Sequence, residues 1–269
     1  MPSIASPTTS RYLALALALA WSAPALAEPT PRDIAESALG GDRLGFGAGS
    51  ATLGMELRDK AGRLISRKLE ARSAIADGTR KMRLSFLEPI DQRGIEYLLV
   101  EKRGAPPLQY LWLPRSAELR RVTPDDREGR LGGSDFSFAD FEKRDFDNAE
   151  INRLPDETLG GQPCYRLAIT PKSGTRAPGG FSRVTAWILK DGQLPVRLDF
   201  ERQTATGHAA VRRLEVKRVA RIGPDKRLVP SRLVMTDLVQ STQTTLDITA
   251  QNPDARFPDA IFQPESLGR

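Results

Sequence analysis

From Leu84 onward, apolar side chains recur at every second position, and this rhythm constrains the fold more than any other feature of the chain. It runs through Leu84 and Phe86, then Ile95, Tyr97 and Leu99, then Leu108, Tyr110 and Trp112. It resumes at Tyr165, Leu167 and Ile169, at Val184, Ala186 and Ile188, and at Val196, Leu198 and Phe200, and it continues through Leu214 and Val216 to Leu246 and Ile248. Successive side chains of a strand point to opposite faces, so a period of two marks strands with one face turned to a core. Asp77-Gly78, Arg103-Gly104 with Pro106-Pro107, Asp191-Gly192 and Gly223-Pro224 separate these runs as turns, which predicts an antiparallel meander. Helices are few. Thr30 as cap, Pro31 at the first helical position, Asp33 completing a capping box and Gly40 as a stop predict one near the start. Ser137 with Asp140 predicts a second, short helix over Phe138 to Glu142, and Asp259 to Phe262 a third. The fold class expected is mainly β (α+β), with one antiparallel sheet covered locally on one face and no βαβ units.

The first 27 residues read as a cleavable export signal. Arg11 supplies the positive charge, Tyr12 to Trp21 a short apolar run, and Pro24 precedes Ala25-Leu26-Ala27, an Ala-x-Ala cleavage site before Glu28. A membrane-spanning helix needs about 20 apolar residues, roughly twice what this run offers. Removal of 1–27 leaves 242 residues, 28–269, expected to form a single domain in the periplasm. Cys164 is the only cysteine, so neither acylation at the cleavage point nor an intramolecular disulfide is expected. Arg11 apart, 39 Lys and Arg face 34 Asp and Glu, a charge of +5 scattered without a basic run. That pattern argues against nucleic acid and for anionic lipid or an acidic partner.

Chemistry-bearing motifs are sparse. The single histidine, His208, follows Gly207 at a predicted hairpin tip, where a solvated role is the plainer reading. No GxxxxGK[ST], GxSxG or CxxC occurs. Gly45, Gly47 and Gly49 lack the third glycine of a dinucleotide loop, since Ser50 stands there. Asp145 and Asp147 resemble the start of a calcium loop, but Glu150 occupies the position that requires glycine. Asp125 and Asp126 lie in a stretch, Thr123 to Gly129, that reads as an extended loop placing them on opposite sides. Cys164, at a strand start with no histidine nearby, reads as a buried small residue. No enzymatic activity, cofactor or metal is expected.

One series of segments carries a resemblance. Pro89, Asp91, Arg93 and Gly94 precede the strand Ile95 to Val100; Trp112-Leu113-Pro114 leads to Arg120, Arg121 and Val122; and Gly132, Gly133, Ser134, Asp135 and Phe136 follow, with Asp140. Gly161, Cys164 and Tyr165, Pro171-Lys172, Trp187, and Met235-Thr236-Asp237 with Thr245-Leu246 complete it. From about Arg80 to Ile248 the chain resembles the outer-membrane lipoprotein-sorting, LolA-like periplasmic proteins. The resemblance implies an incomplete, strongly curved antiparallel barrel whose concave face is covered by short helices and encloses an apolar cavity. It further implies a carrier that binds a lipid or a lipoprotein acyl chain and hands it over on the way to the outer membrane, with an inner-membrane, lipid-exporting efflux-type transporter as partner. A monomer is expected. The candidate lining is Leu84, Phe86, Tyr97 and Leu99 on early strands, Tyr110 and Trp112 next, and Trp187, Leu198 and Phe200 later. The alternative is that Tyr97, Tyr110, Trp112, Trp187 and Phe200 fill a closed core; Trp187 already alternates against Val184, Ala186 and Ile188. Gly132 and Gly133 are expected to turn the chain sharply, and Asp135 to cap the helix that starts near Ser137. A sensor or interaction module of the sigma-factor-regulator (RseB) type is the second functional expectation, disfavoured because such proteins carry an additional C-terminal domain.

Overall fold

The computed structural model of the protein describes residues 28–41, 47–144, 146–173, 180–224 and 226–269. The predicted export signal, Gly45 and Asp145 lie outside the described residues.

The chain enters through α1 (Pro31–Leu39), whose capping box forms as the sequence predicts: Asp33 N donates to Thr30 Oγ1 at 3.2 Å and Thr30 N to Asp33 Oδ2 at 3.1 Å. Six strands follow, β1 (Gly49–Arg58), β2 (Leu64–Ala76), β3 (Thr79–Glu88), β4 (Glu96–Lys102), β5 (Leu108–Leu113) and β6 (Glu118–Arg121). A connecting segment, residues 122–148, carries short 3-10 helices at Pro124–Glu128, Leu131–Gly133 and Phe138–Phe141. Seven more strands complete the sheet: β7 (Ala149–Leu159), β8 (Gln162–Pro171), β9 (Arg183–Leu189), β10 (Pro195–Thr204), β11 (Gly207–Ile222), β12 (Arg227–Asp237) and β13 (Thr242–Asn252).

All thirteen strands form one antiparallel sheet in the order β6-β5-β4-β3-β2-β1-β13-β12-β11-β10-β9-β8-β7. The chain therefore starts at the middle of the sheet, meanders to one edge, crosses to the other edge through the connecting segment, and returns to pair β13 with β1. Register at that seam sets Leu53 opposite Ile248 and Met55 opposite Leu246, all buried. The sheet stays open between β6 and β7, an incomplete barrel. One face gathers Met82, Leu84, Phe86, Tyr97, Leu99, Leu198 and Phe200 beneath Ile34 and Leu39 of α1 and Leu131, Phe136, Phe138 and Phe141 of the connecting segment. Each such large side chain contributes about 1.5–3 kcal/mol on burial.

The opposite face is covered too. Leu98, Tyr110 and Trp112 lie beneath Phe262 and Leu267 of the C-terminal residues, which turn through 3-10 helices at Asp259–Phe262 and Pro264–Ser266. Arg83, paired with Glu96 at 2.6 Å, holds this tail by donating to Ile261 O at 3.0 Å. A third cluster packs Cys164, Trp187, Leu189 and Leu194. The stretch read as an extended loop, Thr123 to Gly129, is instead a 3-10 turn. Thr123 N and Oγ1 both donate to Asp126, at 3.3 and 2.8 Å, because the Thr-x-x-Asp spacing caps this turn as it does α1.

Candidate functional site

The connecting segment lies across the inner face and is fixed there by charge as well as by rings. Phe138 and Phe141 stack on Tyr97 with centroids 5.5 and 6.0 Å away. Glu142, buried, accepts from Arg127 Nε at 2.6 Å and from Gln109 Nε2, while Gln109 Oε1 accepts from Tyr97 Oη at 2.7 Å. Burial pushes the Glu142 carboxyl above the ordinary carboxylate range, although Arg127 and Gln109 favour its charged form. Burial likewise raises the Tyr97 hydroxyl, with Glu142 adding to the effect. Glu101 pairs with buried Arg80, and Asp140 with Arg212 at 2.5 Å. Unpaired, any of these buried charges would cost several kcal/mol, which is why each is matched.

The glycines act as the sequence predicts. Gly132 (φ +57°) and Gly133 (φ +77°) take left-handed backbone, and a Cβ at Gly132 would come within 2.9 Å of the Phe86 ring. Gly132 O accepts from Arg67 Nη1. Asp135 does something else than expected. Its N–H donates to Thr244 Oγ1 at 2.8 Å, and its carboxylate accepts from Arg130 at 2.9 Å, Thr242 at 2.5 Å and Thr244 at 2.8 Å. The cap of the following 3-10 helix is Asp140, which accepts from Ser137 N at 2.8 Å. Asp135 thus ties the connecting segment to β13. Ser134 Oγ closes the turn onto Leu131 O at 2.8 Å, and Phe136 enters the inner core. Pro89 O accepts from Gln92 and Arg93 N–H groups, both at 3.0 Å, to shape the β3–β4 turn that Gly94 (φ +86°) ends, and Arg121 sits exposed opposite Tyr110.

A cavity of about 1050 Å³ opens at one end of the inner face. It lies where the ends of β4 and β8, the start of β9 and the last turn of the connecting segment converge. Its apolar wall is Phe146, Ile169, Phe181, Val184 and Phe200, with Ala139 and Ala149 between them. Phe181 and Phe200 stack at 5.0 Å. Its polar rim comprises Glu101, Asp140, Glu142 and Asp147 with Lys102, Arg103, Arg127, Lys143, Arg144 and Arg183. The volume lies just above the roughly 300–1,000 Å³ range of ligand pockets.

The structure brings together six of the nine residues predicted to line a cavity: Leu84, Phe86, Tyr97, Leu99, Leu198 and Phe200 share the inner core, and Phe200 alone also touches the cavity. Tyr110, Trp112 and Trp187 lie on the other face. The reason is register: Tyr97 pairs with Leu111, not Tyr110, and Leu98 with Tyr110, so Gln109 and Leu111 look inward. Trp187 Nε1 donates to Glu157 at 3.0 Å, and Arg197 stacks over its ring at 4.3 Å. Of the cavity wall, the predicted lining held only Phe200 and missed Phe146, Ile169, Phe181, Val184 and the cations. The β4–β5 turn, Arg103-Gly104 with its paired prolines, the Ser137/Asp140 box and Asp147 were the local signals at that rim. His208 is half-buried beside the hairpin, its Nδ1 3.0 Å from Ser182 Oγ, and Cys164 is fully buried, its thiol pushed up chiefly by that burial. Among the described residues no cluster of His, Cys, Asp or Glu could hold a metal, and no helix is long and apolar enough to cross a membrane.

A family model whose description reads only "uncharacterized protein" matches residues 78–269. The chain belongs to that family. No curated protein matches it. Among solved structures, a putative outer membrane lipoprotein-sorting protein domain from Vibrio parahaemolyticus superposes with a TM-score of 0.74 at 22% identity, over 84% of this chain and 93% of that one. A DUF1329 family protein from Desulfovibrio piger gives 0.71 at 23% identity, over 81% and 90%. A LolA superfamily protein from Nitrosomonas europaea gives 0.64 at 17%, over 89% and 100%. The fold is therefore that of the LolA-like, outer-membrane lipoprotein-sorting proteins.

Proposed function

We propose that residues 28–269 act as one periplasmic unit that binds a lipid, or the acyl chain of a lipoprotein, and hands it over on the way to the outer membrane. Export by removal of residues 1–27 places it there, and a lipid-exporting transporter of the inner membrane is its donor. The observation that carries this reading is the cavity: beside its filled inner core the LolA-like sheet has an opening walled by Phe146, Ile169, Phe181, Val184 and Phe200. Burying a CH₂ group there contributes about 0.8 kcal/mol, so a long acyl chain gains on the order of 10 kcal/mol before ordering costs, enough for a carrier that must also let go. One structural neighbour is described as a putative outer membrane lipoprotein-sorting protein domain and another as a LolA superfamily protein, which supports binding and transfer over covalent chemistry.

Uptake of a fluorescent fatty-acyl probe by the exported chain tests this, together with native mass spectrometry for co-purified lipid. Ala149→Trp, which fills the cavity from the half-buried start of β7, should abolish uptake while the protein stays folded. No uptake by the unaltered protein, and no co-purified lipid, would remove the carrier reading.

A further inference from the structure

The rim of the cavity is not electrically balanced, and the imbalance identifies the kind of ligand. Each carboxylate on the rim already has a cation. Glu101 is held by Arg80, Asp140 by Arg212, Glu142 by Arg127, and the exposed Asp147 lies 3.4 Å from Arg32. Three of these four cations, Arg80, Arg212 and Arg32, come from outside the lining, so they neutralise rim acids without using up rim cations. Of the rim cations, Arg127 is spent on Glu142, Arg183 on Glu201 at 2.5 Å, and Arg144 stacks on the Phe200 ring at 5.5 Å. Lys102, Arg103 and Lys143 remain. All three are exposed, and among the described residues none has a carboxylate within ion-pair distance.

Their placement follows from the fold. Lys102 ends β4 and Arg103 opens the β4–β5 turn, while Lys143 follows the last 3-10 helix of the connecting segment and is anchored by its N–H, which donates to Glu101 Oε1 at 2.6 Å. Glu101, already paired with Arg80, therefore fixes the Lys143 backbone beside the end of β4 that carries Lys102, so that two cations stand on neighbouring elements. The residues of the apolar wall are buried, whereas the three cations are exposed.

We infer that the protein selects an anionic amphiphile, whose phosphate or carboxylate group rests among Lys102, Arg103 and Lys143 while its acyl chain lies on the phenylalanine wall. This rests on the carrier reading and adds to it the charge of the head group. Three cations around one opening attract a single anion more strongly than scattered surface charges do, and because they are exposed the attraction is screened over roughly 8 Å at physiological salt. A zwitterionic or uncharged head group would gain the wall and not the rim.

The exported chain is titrated with lysophosphatidylglycerol, lysophosphatidylcholine and monoacylglycerol of one chain length, at low and physiological salt, and with inorganic phosphate alone. The anionic amphiphile should bind most tightly. Lys102→Gln, Arg103→Gln and Lys143→Gln should each weaken it about fivefold at low salt, and the triple variant should lose the head-group preference while still binding monoacylglycerol. Lys60→Gln, an equal loss of charge in the distant β1–β2 turn, should leave the preference intact. Equal affinity for all three amphiphiles overturns the charge inference and leaves the carrier reading standing. A preference that the triple variant keeps, or that Lys60→Gln reduces as much, overturns it as well. Binding of inorganic phosphate as tightly as the anionic amphiphile would assign the site to a free anion and overturn the lipid head group. If no amphiphile binds, the carrier reading and this inference both fail.

Discussion

Replacing Asp135 with alanine separates a helix cap from a cross-strand tie. A cap of this kind is worth about 0.5–2 kcal/mol. The observed contacts predict more. Asp135, 5% exposed, accepts from Arg130, Thr242 and Thr244, and its removal strands those donors unequally. Arg130 keeps Asp237 at 2.6 Å and Gln240 at 2.9 Å, so it is not orphaned. Thr242 is half-buried and can turn to water. Thr244 is completely buried and retains only the backbone N–H of residue 135 as a partner, so its hydroxyl hydrogen is left without an acceptor, a cost of about 1–3 kcal/mol. Adding about 1.5–3 kcal/mol for lost bonds to a charged acceptor, Asp135→Ala should destabilise by about 2.5–6 kcal/mol. In a chain of this size that lowers Tm by about 5–24 °C, read by calorimetry. Asp135→Asn, which keeps one carbonyl acceptor, should cost less than half as much. A double-mutant cycle with Thr244→Val should return a coupling of at least about 1 kcal/mol. An alanine variant within about 1 kcal/mol of the unaltered protein, with no coupling to Thr244, would refute the tie.

Three further outcomes follow from the same contacts. Gly132→Ala should cost about 2–3 kcal/mol, from a left-handed backbone and a Cβ 2.9 Å from Phe86, whereas Gly133→Ala, whose nearest neighbour is 3.8 Å away, should cost only about 1–2 kcal/mol; equal values by denaturant titration would discount the Phe86 contact. Leu99→Gln, in the filled inner core, should destabilise by about 3–5 kcal/mol, and at a temperature where the variant is still folded it should retain acyl-probe uptake, so a folded variant without uptake would move the ligand away from the cavity described. Because burial raises the Glu142 carboxyl, the folded chain holds a proton that the unfolded chain has released, and this group's contribution to stability falls as pH rises from the ordinary carboxylate value through the raised one. Between about pH 4 and pH 7 the Tm of Glu142→Gln should therefore gain on that of the unaltered protein as pH rises, and a difference that is flat or of opposite slope would contradict the burial argument.

Local signals decided local structure. The Thr30/Asp33 and Ser137/Asp140 boxes produced α1 and a 3-10 helix where they stand, because a cap needs only residues three apart. The same rule, unapplied to Thr123 and Asp126, would have found the turn mistaken for an extended loop. Alternation at Leu84, Tyr97, Leu167, Ala186 and Leu198 placed strands correctly and, on those strands, the buried face. The Gly132 to Phe136 segment was legible as a turn, although Thr242 and Thr244, the partners of Asp135 more than a hundred residues distant, were not. Period two states which residues share a face and is silent on which face is inside. On β5 and β9 both faces are covered, the outer one by Phe262 and Leu267 or by Leu194, so the more aromatic rhythm of Tyr110, Trp112 and Trp187 pointed the wrong way. Gln109 concealed the true inward rhythm of β5, since its polarity is tolerated there only through Tyr97 and Glu142. The cavity belongs wholly to tertiary structure: its cations and its phenylalanines sit on segments that meet only when residues 122–148 cross from one edge of the sheet to the other, and the balance of charge at its rim depends on Arg32, Arg80 and Arg212, supplied by a helix and two strands on which no local pattern sets them apart.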